Sequence, residues 1–103
     1  MYKLVFFVPE THVEEVKSAV FTAGAGAIGD YEKCCWQVLG AGQFQPNEQA
    51  NPFIGSANQV ETVSEYRVEM VCDPEYIKGV VEALKQAHPY EEPAYDVTKL
   101  EVF

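Results

Sequence analysis

A chain of 103 residues with 16 acidic against 7 basic side chains carries a formal net charge of −9, so it lacks the basic footprint that nucleic acid or an anionic membrane surface demands. Its length suits one domain able to bury a core without staples, and a composition that is 48% hydrophobic and 13% aromatic excludes a disordered chain. No apolar run reaches the ~18 residues that span a bilayer, and three cysteines, two of them adjacent, read as free thiols of a reducing compartment.

Tyr2 to Val8, rich in β-branched and aromatic residues, predicts a first strand. Its apolar stretch is too short for a secretory signal, and Pro9-Glu10 follow at once, so the expected location is the cytoplasm. A helix follows, with Thr11 and Glu14 spaced as a capping box and Val13, Val16, Ala19, Val20 and Ala23 as its apolar stripe. Gly24 is placed to stop it. Cys34 to Phe44 predicts a second strand, and Gln45 to Asn58, rich in Asn, Gln, Pro and Gly, predicts a loop. Gln59 to Cys72 predicts a third strand, with Glu61, Glu65, Arg67 and Glu69 on one face and Tyr66, Val68, Met70 and Cys72 on the other. Asp73 as N-cap and Pro74 at the first position open a second helix whose stripe is Ile77, Val80, Val81, Leu84 and Ala87. His88-Pro89 ends it, and Tyr95 to Val102 predicts the last strand. The order βαββαβ predicts an α+β ferredoxin-like sandwich over residues 1–103, a four-stranded antiparallel sheet with both helices on one face.

Four features invite functional readings. Gly24-Ala25-Gly26-Ala27-Ile28-Gly29 matches the GxGxxG pattern, but it leaves a helix and enters a strand. The dinucleotide motif needs the opposite order, so the glycines read better as a helix stop and tight passage. His12 stands among Glu10, Glu14 and Glu15 without a second histidine at ligand spacing, which predicts a solvated face. Cys34-Cys35 has no activating neighbour and reads as packing. The segment His88-Pro89-Tyr90-Glu91-Glu92-Pro93-Ala94-Tyr95-Asp96 is a stiff corner crowded with ionisable and aromatic groups. His88, Glu91 and Glu92 can hold a divalent metal with mixed nitrogen and oxygen ligands, or cap the helix and tie the corner down; the second reading is preferred. Strand two, with Cys34, Trp36, Val38 and Leu39, is apolar for an edge strand. It predicts self-association unless the Gln45 to Asn58 loop covers it.

In one order, the segments Gly24 to Tyr31, Gly40-Ala41-Gly42-Gln43-Phe44-Gln45-Pro46, Ala50-Asn51-Pro52-Phe53-Ile54-Gly55 and His88 to Asp96 resemble the inserted middle domain of the Nif-three-like (Ngg-one-interacting-factor-three) family, often labelled GTP cyclohydrolase I type 2. Glu61, Val63 and Glu65 fit between the last two. The resemblance covers nearly the whole chain and implies a fold similar to the CutA and PII proteins, which assemble as trimers. Full-length members carry a two-metal site on flanking domains, whose ligands this chain does not contain, so the enzymatic label has no residues here to attach to. The expectation is a stand-alone regulatory, ligand-binding or assembly module without catalysis, homo-oligomeric as a trimer or a dimer, with an unidentified protein or small-molecule ligand. Its expected surface joins His88, Tyr90, Glu91, Glu92 and Tyr95 of the corner with Asn51 and Phe53 of the loop and Gly24 and Gly26 of the turn. The alternative is a divalent-metal-binding protein or metal-dependent hydrolase using His88, Glu91 and Glu92, with His12 as a further ligand. A third reading is an assembly domain with no small-molecule site.

Overall fold

The computed structural model describes residues 1–103. The elements are β1 (Tyr2–Pro9), α1 (Val13–Thr22), β2 (Trp36–Phe44), β3 (Glu61–Cys72), α2 (Ile77–Ala87) and β4 (Tyr95–Lys99). The strands form one sheet in the order β2-β3-β1-β4, every neighbouring pair antiparallel. This is the expected ferredoxin-like arrangement. Alternation drives it: Leu4, Phe6 and Val8 of β1 and Val68, Met70 and Cys72 of β3 share one face and are buried. Val13, Val16 and Val20 of α1 and Val80 and Leu84 of α2 pack against them in the same core. Full burial of such side chains contributes about 1.5–3 kcal/mol each.

The other sheet face carries Lys3, Phe7, Glu65, Arg67 and Glu69. Lys3 and Arg67 both bond Glu69, at 3.2 and 3.3 Å, and the Arg67 guanidinium lies 5.8 Å from the centre of the Phe7 ring. The Lys3 hydrogen bond is the main cause that holds the Glu69 carboxyl below its ordinary range.

Several boundaries depart from the sequence reading. The capping box of Thr11 and Glu14 does not form. The chain turns off β1 through a His12 N–H bond to the Pro9 carbonyl at 2.9 Å, which makes His12 the N-cap. Thr11 Oγ1 instead meets His12 Nδ1 at 2.8 Å, and Lys17 takes up Glu14 at 3.1 Å. Asp73 is not the N-cap of α2 either. Its carbonyl accepts the Tyr76 N–H at 3.0 Å in a preceding turn, and Tyr76 caps the helix. β2 starts at Trp36, because Cys34 is drawn out of the ladder by its N–H bond to the Gly26 carbonyl at 2.8 Å.

Gly24 stops α1 as expected, with φ +120° just past the C-cap Ala23. The Gly26 N–H then pins the turn to the Val71 carbonyl at 2.8 Å. A Cβ on Gly26, whose φ is +83°, would meet the Phe21 ring at 2.8 Å, so this turn needs glycine for both space and backbone.

β2 is the expected edge strand. Trp36, Val38 and Leu39 remain 61%, 44% and 50% exposed, so the Gln45 to Asn58 loop does not cover them. No helix is long and apolar enough to cross a membrane.

Candidate functional site

The Pro9 end of the sheet holds a cleft of about 320 Å³ between the open sheet face, the loop after β2 and the corner after α2. Its walls include Phe7, Phe44, Phe53, Glu65, Tyr90 and Glu91. Register explains the floor. Glu65 of β3 faces Gly40 of β2, and Gly42 follows on the same face two residues on. A Cβ on Gly42 would overlap the Glu65 carboxylate, so that glycine leaves the room the side chain occupies.

His88 organises the corner. It is 6% exposed and lies immediately past the last turn of α2. Nε2 lies 2.7 Å from the Phe7 carbonyl oxygen, and Nδ1 accepts the Tyr90 N–H at 3.1 Å. Those partners fix the tautomer: Nδ1 is the acceptor, so Nε2 carries the proton and donates to Phe7. Burial lowers the imidazole pKa below 6.5, against the opposing effects of the Phe7 carbonyl and the Glu65 charge.

The Tyr90 ring then packs at a tilt of 58° against the His88 ring, with centroids 4.9 Å apart, and its hydroxyl donates to Glu65 Oε2 at 2.8 Å. Burial, first, and this bond to Glu65, second, push the phenol pKa upward. The Tyr90 ring also lies 6.0 Å from Phe44 at a tilt of 54°.

The loop is tied to the corner across 40 residues of sequence, where the Asn51 N–H donates to Glu91 Oε1 at 3.1 Å. Its other supports are the Asn58 N–H bond to the Pro46 carbonyl at 2.7 Å and a turn at Gly55, whose φ is +100°. The His12 ring meets Phe53 edge-on, with centroids 5.3 Å apart and planes at 86°. His12 therefore joins the loop's packing and does not stand alone on a solvated face.

Of the residues expected to form the surface, Phe53, Tyr90, Glu91 and Glu92 line the cleft, and Asn51 braces it. His88 sits behind it as a strut. Tyr95 pairs with Phe6 at the start of β4, and Lys85 Nζ stands 5.6 Å from the centre of its ring. Gly24 and Gly26 lie at the other end of the sheet, near a shallow patch formed by Lys3, Ile28, Cys34, Cys35, Trp36 and Glu69. As metal ligands His88, Glu91 and Glu92 are not brought together. Both imidazole nitrogens are committed to backbone partners, Glu91 bonds the loop, and no group of three or more His, Cys, Asp or Glu side chains has the geometry to hold an ion.

The sequence reading did not see Phe7, or the partnership of Glu65 with Tyr90. The available signal is the small-residue run Gly40-Ala41-Gly42 in a strand that is otherwise built of large residues. Only the register shows that Glu65 uses the space they leave.

The two helices on a four-stranded antiparallel sheet define a ferredoxin-like α+β fold of the CutA/PII-like kind. The periplasmic divalent cation tolerance protein CutA from Archaeoglobus fulgidus matches all of this chain and 87% of its own, with a TM-score of 0.69 at 14% identity, a likeness of fold alone. In sequence the chain is similar to NIF3-related proteins. A Bacillus cereus protein related to NIF3 matches 98% of this chain at 42% identity and a TM-score of 0.83, over 26% of its own length. The GTP cyclohydrolase 1 type 2 homolog of Mycobacterium leprae is 50% identical over 98 residues, which is 95% of this chain and 26% of that protein. The chain thus spans about a quarter of the length of the curated relatives it matches. No family model matches it.

Proposed function

We propose that residues 1–103 form one CutA/PII-like domain, cytoplasmic and homo-oligomeric as a trimer or a dimer, that acts by binding and assembly and not by catalysis. The observation that carries the binding half is the cleft itself. Three segments far apart in sequence meet there, held by the Tyr90–Glu65 and Asn51–Glu91 hydrogen bonds, and they enclose a volume of ligand size. The assembly half rests on β2, whose outer edge is unpaired and whose Trp36, Val38 and Leu39 stay exposed. Three free cysteines agree with a reducing compartment.

Within this reading His88 positions the cleft, while Tyr90, Glu91 and Glu92 supply contacts. A variant joining Glu65→Gln, Glu91→Ala and Glu92→Ala separates the two roles. It should lose binding of small-molecule fragments while still unfolding cooperatively, at a melting temperature lower by no more than about 10 °C, the cost of the weakened Glu65 and lost Glu91 hydrogen bonds. A variant that binds every fragment the parent binds overturns the proposal.

A further inference from the structure

Resting on the reading of the cleft as a binding site, we infer that its ligand class is a small organic cation, an alkylammonium group carried on a compact apolar body. The lining has an unusual charge balance. It contains the carboxylates of Glu65, Glu91 and Glu92 and no lysine or arginine. The rings of Phe7, Phe44, Phe53 and Tyr90 stand among those carboxylates. Aromatic faces and carboxylates both attract a weakly hydrated cation, and both disfavour an anion.

The carboxylates are also poised. Glu65 gives Oε2 to the Tyr90 hydroxyl while its Oε1 lies in the space over Gly42, and Glu91 gives Oε1 to the Asn51 N–H, which leaves its Oε2 without a protein partner. Tyr90 donates its only hydroxyl proton to Glu65, so it has none left for a ligand and its ring stands beside a fixed carboxylate. Arg67 lies over Phe7, yet its guanidinium also bonds Glu69 at 3.3 Å on the open sheet face, and it does not line the cleft. Phe44, Phe53 and Tyr90 also line the cleft, with Phe53 meeting His12 edge-on and Tyr90 lying against His88 and Phe44, so each offers only the part of its ring that faces the opening. The cleft thus sets aromatic walls beside an acidic floor, the surroundings that favour a weakly hydrated cation.

Three probes of nearly one shape separate charge from size: choline, the neutral 3,3-dimethylbutan-1-ol and the anionic 3,3-dimethylbutanoate. Each is titrated into the full chain at constant ionic strength, and the amide resonances of Asn51, Phe53, Tyr90 and Glu91 are followed by NMR. Choline should shift those amides saturably and bind about tenfold more tightly than the neutral alcohol, with the anion weaker still. Glu65→Gln, which keeps an acceptor for Tyr90, should weaken choline about fivefold or more and leave the alcohol unchanged. Equal binding of the alcohol, or stronger binding of the anion, overturns the cation class while the cleft survives as a binding site. If none of the three probes moves any of those amides, the cation class falls, while the binding reading stands or falls separately on whether other small-molecule fragments shift the same amides.

Discussion

The Tyr90 hydroxyl donates to Glu65 Oε2 at 2.8 Å, joining the corner after α2 to the middle of β3 across 25 residues of sequence. This bond sets where the cleft's acidic floor meets its aromatic wall. Tyr90→Phe keeps the ring and deletes the donor. Because Glu65 can turn to water, the cost should be near the net value of one charged hydrogen bond, about 1.5 kcal/mol, measurable as a lower denaturation midpoint with an unchanged slope. In the parent, Tyr90 should be among the last tyrosines to ionise in an alkaline spectrophotometric titration, since burial and Glu65 both raise its pKa. Its contribution is present below about pH 10 and is lost as pH rises through the folded-state value.

His88 should behave as a structural residue and not as a surface ligand. His88→Ala leaves the Phe7 carbonyl and the Tyr90 N–H without partners in a buried corner, at a cost of about 1–3 kcal/mol for each unsatisfied group. His12→Ala, which loses only a half-buried edge contact with Phe53 and a bond to Thr11, should cost less, about 1 kcal/mol. Urea denaturation of the two variants beside the parent makes the comparison.

The same burial gives a pH dependence. The folded-state pKa of His88 is depressed, so the unfolded chain binds its proton more readily. Stability from this group is complete above about pH 6.5 and falls as pH drops below it. Urea midpoints taken between about pH 7.5 and about pH 5 should decline in the parent. The decline should be shallower in His88→Gln, which cannot titrate.

Gly42 and Gly40 are a matched pair of edge-strand glycines with different expected roles. A Cβ on Gly42 overlaps the Glu65 carboxylate, whereas one on Gly40 has its nearest neighbour, the Glu65 carbonyl oxygen, at 4.0 Å. Gly42→Ala should displace the flexible Glu65 side chain and break its bond to Tyr90, at a cost of about 1–2 kcal/mol, and reduce choline binding. Gly40→Ala should leave choline binding unchanged. The same titration reads both.

The apolar edge carries the assembly prediction. Val38→Lys with Leu39→Lys places two charges on β2, a device that natural edge strands use against pairing. Sedimentation should show an oligomer for the parent and a single chain for the variant. A parent that sediments as one chain at high concentration removes the assembly half of the proposal.

Much of the fold was legible because two periodicities dominate it. Alternation in Tyr66, Val68, Met70 and Cys72 marked the buried face of β3, and the 3.6-residue stripe of Val13, Val16 and Val20 marked that of α1. The helix starts were misread because Thr11 and Asp73 have the chemistry of N-caps, while backbone turns at Pro9 and Asp73 decide where each helix begins. The corner His88 to Glu92 and the loop around Phe53 were legible as a site from their stiffness and composition. The floor was not, since Glu65 meets Tyr90 only through the β2–β3 register and the path of the corner. Gly24 and Gly26 are grouped with that surface in the sequence because their turn, like the corner and the loop, is more closely specified than a plain turn needs; the fold carries them to the opposite end of β1 and β3.

The central claim is that the chain binds a ligand in the cleft between Glu65, Tyr90 and the Asn51–Phe53 loop. The most direct test is an NMR screen of a fragment library against the uniformly labelled chain, with every hit mapped to amides. The account predicts that hits cluster at Asn51, Phe53, Glu65, Tyr90 and Glu91. A screen whose hits fall instead at Gly26, Cys34 and Trp36, or that yields none, would contradict it.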